Sequence, residues 1–149
     1  MKSDVAVRAW QSGDLELLAA AGSRLSEQTL RMRFWGTVPA LPVSYLRRVE
    51  ERWPAYWDAV VAMAGDELVG WAEFGRDRVD PGRGDIGACV VDSEQGHGVG
   101  TALLVALLER ARARGLTVVH ADIHPYNAAA RHAWHTATGA WSTTYALAS

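Results

Sequence analysis

A single cysteine, five prolines and a near balance of charge set the first limits on this 149-residue chain. Cys89 has no partner for an intramolecular disulfide, so a reducing, cytoplasmic setting is expected. The start MKSDVAVRAW lacks the apolar segment of a secretory signal. The longest apolar runs, such as Ala102 to Leu108, fall far short of the ~20 residues that cross a bilayer, so no membrane span is expected. Fifteen Lys plus Arg against seventeen Asp plus Glu leave a formal charge of -2. That balance supplies no basic field for a nucleic-acid backbone, and nucleic acid is not an expected partner. There is no Gly-x-Ser-x-Gly elbow for a serine hydrolase, and no Lys-Ser/Thr pair follows the glycine-rich turn as a Walker A loop requires.

What is present is an ordinary globular mixture, 49% hydrophobic and 21% charged. Its length suits one domain spanning 1–149. Seven Trp is a high count for this size. The stretch Trp53, Pro54, Ala55, Tyr56, Trp57 would suit a cleft wall, although most aromatics bury into the core.

Val5 to Ala9 alternates as a short strand, and Gly13-Asp14 opens a helical pattern through Leu15, Leu17, Leu18 and Ala21. Ser26 heads a second helix that carries Leu30, Phe34 and Trp35 as far as Gly36. After Pro39 and Pro42, Val43 to Trp53 reads as a third. Ala59 to Ala64 and Leu68 to Phe74 flank the Gly65-Asp66 turn as a β-hairpin. Gly75 to Gly84 reads as a loop, and Ile86 to Val91 as the next strand. Thr101 to Arg114 is a long, largely buried helix stopped by Gly115. Leu116 to Ile123 reads as a strand, Asn127 to Thr136 as the last helix and Trp141 to Leu147 as a final strand. The early hairpin demands antiparallel pairing, and the long helix between two strands demands parallel pairing later. The fold class is therefore α/β, or α+β, with a mixed central sheet flanked by helices.

The most informative segment is Gln95-Gly96-His97-Gly98-Val99-Gly100-Thr101, between an apolar strand and the long helix. Glycines there remove side chains that would keep an anion away, and a helix start offers unpaired N–H groups with a positive dipole end. The same residues also suit a purely structural tight turn. Rival chemistry is poorly supplied. On a strand His120 and His124 would stand roughly 13 Å apart at ~3.3 Å per residue, too far to share an ion, and the pair His132 and His135 lacks further ligands, so no metal is expected. Cys89 lies inside an apolar strand, where its thiol should be hard to ionise.

The turn resembles the cofactor motif Gln/Arg-x-x-Gly-x-Gly/Ala of the GNAT acetyl-CoA-dependent N-acetyltransferases, with Gln95, Gly98 and Gly100 at the matching positions. Asn127 and Ala130 are similar to the family's Asn-x-x-Ala helix, and the resemblance covers essentially the whole chain. Leu25-Ser26-Glu27-Gln28-Thr29-Leu30 followed by Arg33-Phe34 resembles the LSxxSLxxRF helix of bacterial Pat-type lysine acetyltransferases. The resemblance implies a splayed sheet in which Cys89, Val90 and Val91 pair with the pantetheine arm. It implies that the N–H groups of Gln95 to Thr101 hold the pyrophosphate and that Asn127 reaches the cosubstrate, unless it merely caps the last helix.

The implied activity is direct transfer of acetyl from acetyl-CoA to a primary amine, of a protein lysine or a small molecule, in a ternary complex. Backbone N–H groups near Ala88 to Val91 would steady the oxyanion. The alternative is a catalytically weak acetyl-CoA sensor or interaction module. Two departures bear on this. Trp134 stands where many family members carry an acidic Tyr, and Gly139-Ala140-Trp141 replaces the closing Gly-Phe pair, so the terminal hairpin is expected to be shortened or completed by a partner chain in a homodimer. An alkylamine of pKa near ~10.4 must lose a proton before it attacks. Pat-like enzymes place a Glu ten residues ahead of the motif's Gln. Asp85 holds that spacing and would work through an ordered water, with Glu73 on the hairpin strand as the competing base and a solvated loop carboxylate as the plain reading of Asp85.

Overall fold

The computed structural model describes residues 4–34, 40–52 and 54–147. Trp35, Gly36 and Trp53, at the expected ends of two helices, lie outside them. The elements run β1 (Val5–Ala9), α1 (Asp14–Ala21), α2 (Glu27–Phe34), α3 (Val43–Glu51), β2 (Trp57–Ala64), β3 (Glu67–Arg76), β4 (Arg83–Val90), α4 (Val99–Ala113), β5 (Val118–Ala121), α5 (Ala128–Thr138) and β6 (Thr144–Ala146). The six strands form one sheet in sequence order. All neighbours are antiparallel except β4 and β5, which run parallel on either side of the α4 crossover. The mixed sheet expected from the sequence is therefore present.

Several boundaries differ from the sequence reading. The hairpin of β3 and β4 runs on through Gly75↔Asp85 and Arg76↔Gly84, residues that read as loop. Only 77–82 turn, and Asp77 Oδ1 accepts the Val79 and Asp80 N–H groups at 2.7 and 2.8 Å, which closes the turn locally. Helix α4 starts two residues early, at Val99, because Gly98 adopts φ 82° and serves as its cap. Strand β5 is shorter than its apolar run, because its ladder to β4 ends at Ala121. Strand β6 is shorter still, three residues pairing with Val118 to His120.

Side chains alternate across the sheet, so each face has its own cover. Leu103, Leu107 and Leu108 of α4 are buried against one face. There Gly70 is so close that an added Cβ would stand 3.1 Å from Leu103 Cδ1. On the other face α3 contributes Tyr45, whose ring tilts against Trp71 with centroids 6.4 Å apart. Trp57, Trp71 and Trp134 are core residues, whereas Trp141 is exposed. No helix among the described residues is long and apolar enough to cross a membrane.

One charged group fastens the helix to the sheet. Asp58 of β2, buried, accepts Arg110 Nε and Nη2 at 3.0 and 2.7 Å and Arg114 Nη1 at 2.8 Å through Oδ2. Its Oδ1 takes the Ala59 N–H at 2.8 Å. Arg114 also donates to the Pro54 carbonyl, and Arg76 donates to the Arg114 carbonyl, closing the end of α4 onto the sheet. Both partner arginines keep a third or more of their side-chain surface, so water can replace part of what they lose. Asp58→Ala is expected to lower stability by about 1.5 to 3 kcal/mol, the range for hydrogen bonds to charged groups. Urea unfolding checks this, and an unchanged midpoint would contradict the fastening role.

Candidate active site

The site begins where two strands part. The β4–β5 ladder pairs Arg83↔Val118 through Ile86↔Ala121 and stops there. On its other side β4 stays paired with β3 as far as Gly70↔Val90, and the Val91 N–H donates to the Val69 carbonyl at 2.8 Å. Successive backbone groups face opposite edges of a strand. With Val91 turned toward β3, the N–H groups of Ala88 and Val90 are turned toward the gap beyond Ala121. Gln95 marks the same edge, its amide Nε2 donating to the Val90 carbonyl at 2.9 Å.

The glycine turn closes one end of this gap. Gly96 and Gly98 adopt φ 78° and 82°, left-handed conformations that strain any side-chain-bearing residue. Helix α4 has no side-chain cap, and its first bond runs from the Ala102 N–H to the Gly98 carbonyl. The N–H groups of Val99, Gly100 and Thr101 therefore have no intrahelical acceptor. An added Cβ at Gly96 would meet nothing within 4 Å, and Gln95, Gly96, His97 and Gly98 are all exposed. Open backbone donors at the positive end of a 15-residue helix fit a pyrophosphate. Gly100 has a second use: its absent Cβ would stand 3.9 Å from both Ala133 and Val90, so it lets α4 approach α5 and β4 together.

The start of α2 braces the turn. Ser26 Oγ accepts the Thr29 N–H at 3.1 Å, the helix start read from sequence. The Ser26 N–H donates to Asp92 Oδ1 at 2.9 Å, and Gln95 Nε2 donates to Thr29 Oγ1 at 3.1 Å. Burial pushes the Asp92 carboxyl up, but hydrogen bonds from Ser26 and Thr29 outweigh it and hold the group below the usual carboxylate range. The residues of the LSxxSL-like motif thus tie down the loop between β4 and α4.

The two carboxylates named as bases have different surroundings. Glu73 is 5% exposed. It accepts Arg33 Nη2 at 3.1 Å, the Tyr45 hydroxyl at 2.7 Å and Trp57 Nε1 at 3.3 Å. Burial, followed by the charge of Glu73, pushes the Tyr45 phenol well above its ordinary range. Asp85 is exposed, opposite Gly75 on β3 and His120 on β5. Register puts both carboxylates on one face, Glu73 opposite Gly87 and Asp85 two residues before it. Gly87 is the floor under Arg33: a Cβ there would meet Nη2 at 2.5 Å.

Cys89 lies on the same strand and is buried. Asn127 caps α5, its Oδ1 accepting the Ala130 N–H at 3.0 Å. Trp134 is core, donating Nε1 to the Ser142 carbonyl at 2.8 Å. Among the described residues no three His, Cys, Asp or Glu stand close enough to hold a metal ion. The sequence reading missed Arg33 over Gly87, the Tyr45–Glu73 bond and His120 beside Asp85. Each depends on strand register or helix docking, for which a single sequence carries no local signal.

The comparisons agree with this geometry. A family model described as Acetyltransferase (GNAT) family matches residues 27–139. An L-methionine sulfoximine/L-methionine sulfone acetyltransferase of Pseudomonas aeruginosa is 44% identical over 73 residues, covering 47% of this chain and 42% of that protein. The match thus spans less than half of the curated relative. Among solved structures, the GNAT domain of PAT from S. lividans superposes with TM-score 0.81 at 23% identity, covering 89% of this chain and 80% of that one. An acetyltransferase from Salmonella typhimurium, solved with its cofactor acetyl-CoA, superposes with TM-score 0.72 at 20% identity, covering 90% and 78%. These structural likenesses establish the fold.

Burial pushes the Cys89 thiol up to about 12, against a smaller opposing effect of the Arg33 charge. At pH 8 only about one thiol in ten thousand would then be ionised. The native chain is expected to resist a thiol-specific disulfide reagent until urea unfolds it. Rapid stoichiometric labelling of the folded chain would contradict the buried placement.

Proposed function

The chain belongs to the acetyltransferase (GNAT) family, and from that premise we propose that it transfers acetyl from acetyl-CoA to the primary amine of a small molecule. The observation that carries this reading is the gap between β4 and β5, with the unpaired Ala88 and Val90 N–H groups on one side and the uncapped start of α4 at its end. When bound, acetyl-CoA supplies an acetyl thioester as electrophile. In this reading Gln95, Gly96, His97, Gly98, Val99, Gly100 and Thr101 form the pyrophosphate cradle, with Gln95 also holding the loop to Val90. Of the segment Cys89, Val90 and Val91, Val90 presents its backbone to the pantetheine arm while Cys89 and Val91 face β3, and Asn127 borders the arm from α5. Backbone donors fixed before the reaction begins can stabilise a developing oxyanion by ~3 to 4 kcal/mol. Ala88 and Val90 are the donors of the right orientation.

Asp85 serves the proton side. It is exposed, at the vertex of the gap, and free of the three donors that occupy Glu73. Glu73 instead holds α2 and α3 against the sheet. The small-molecule acceptor is favoured by the 44% identity to a methionine sulfoximine acetyltransferase. Protein lysine is the second reading, favoured by the superposition on the PAT domain and by the α2 motif. A reducing, cytoplasmic setting accords with one buried thiol, and a second copy pairing at the short β6 edge would give the homodimer.

Three measurements test the reading. Gly98→Glu puts a charged side chain at a left-handed position inside the cradle. It is expected to abolish acetyl-CoA binding in calorimetry, and unchanged affinity would move the cradle elsewhere. Thiol release with acetyl-CoA should depend on added amine across a panel of amino acids, polyamines, aminoglycosides and lysine peptides. Binding with no acceptor-dependent release would favour the sensor. With an accepted amine in hand, Asp85→Asn should lower the maximal rate about 10²-fold while acetyl-CoA affinity stays the same.

A further inference from the structure

His120 stands beside Asp85 for a reason that the family motifs do not contain. The two are register partners across the parallel pair, one rung before the strands part at Ile86↔Ala121. Neighbouring strands lie about 4.8 Å apart, and residues in register carry their side chains on one face. Ring and carboxylate therefore share one face of the sheet at the vertex of the gap, with no hydrogen bond or ion pair between them. His120 Nδ1 lies 3.0 Å from Thr144 Oγ1 on β6, which fixes the ring from its far side.

We propose that His120 is the proton acceptor of this site, with Asp85 as a negative charge on the same face of the sheet, one strand away. The proposal rests on the acetyl-transfer reading above and deepens it. In the tautomer whose Nδ1–H donates to Thr144 Oγ1, the other ring nitrogen, Nε2, presents a lone pair. An ordinary carboxylate of pKa ~3.9 is a poor acceptor for the proton of an ammonium near ~10.4, whereas an imidazole near ~6.5 lies close to neutral pH. Proton transfer is most effective when the base has a pKa near the working pH. One ammonium proton moves to Nε2 and from there to solvent. The freed nitrogen lone pair forms the N–C bond as the C–S bond breaks. The electron pair of that bond leaves on sulfur, and a second N–H proton ends there.

Charges of both signs surround the ring. Asp85 and Arg83 share its face from β4, Asp122 follows two residues on along its own chain, and β6 contributes the neutral Thr144. From the helix layer Arg33 lies over Gly87, paired with Glu73, and Arg52 Nη1 would stand 3.4 Å from a Cβ added at Gly75, the register partner of Asp85. Of these, Asp85 is the one in register with the ring.

The test is the pH dependence of turnover with an accepted amine. The rate should rise with pH through the range in which an ordinary imidazole loses its proton. His120→Gln should abolish that rise and cut the maximal rate about 10²-fold, with acetyl-CoA affinity in calorimetry unchanged. Asp85→Asn should lower the rate and keep the rise. A His120→Gln variant that keeps the rise and the rate, or an Asp85→Asn variant that loses the rise, would overturn the proposal. If the parent chain transfers acetyl to no amine, the acetyl-transfer reading itself fails.

Discussion

The early end of one ladder governs the site. Strands β4 and β5 pair over four rungs, from Arg83↔Val118 to Ile86↔Ala121, and then part. A sheet interior does not ordinarily leave strand edges unpaired, because buried N–H and C=O groups are costly without partners. Here the edge opens to the surface, and the groups it exposes are aimed where a ligand can use them. The chain holds the strands apart with ordinary packing. Gly100 lets α4 come against α5 and β4, and the Asn127 cap fixes where α5 begins.

Around that gap the chain commits its polar groups to rigidity. Asp92, Ser26, Thr29 and Gln95 join the loop after β4 to the start of α2. Glu73 collects donors from α2, α3 and β2, so one buried carboxylate locks two helices to the sheet. A partly satisfied charge at that depth would be a liability, and three donors remove it. Asp58 performs the corresponding task on the opposite face, where it fastens α4. What remains uncommitted near the vertex is the exposed Asp85, with His120 beside it.

Much of this was legible in the sequence where the cause is local. The Gly65-Asp66 hairpin, the α4 helix stopped by Gly115 and the capping Asn127 follow from short-range rules, and the glycines before α4 mark the left-handed positions at Gly96 and Gly98. The Gly75–Gly84 stretch misled because its glycines and charges read as loop, whereas Gly75 and Gly84 sit in paired strands. Gly84 is there because a Cβ would stand 2.4 Å from Leu116 Cδ2. The roles of Glu73, Arg33 and His120 come from register and docking across many residues of chain. No local pattern encodes them.

The central claim is that the open β4 edge and the α4 start together receive acetyl-CoA. Amide hydrogen exchange of the free and acetyl-CoA-saturated chain tests it residue by residue. The account predicts new protection concentrated at the Ala88 and Val90 amides and at Val99, Gly100 and Thr101, with the β1–β2 amides unchanged. Binding that leaves those five amides exchanging at their free rates, or that protects another part of the sheet instead, would contradict it.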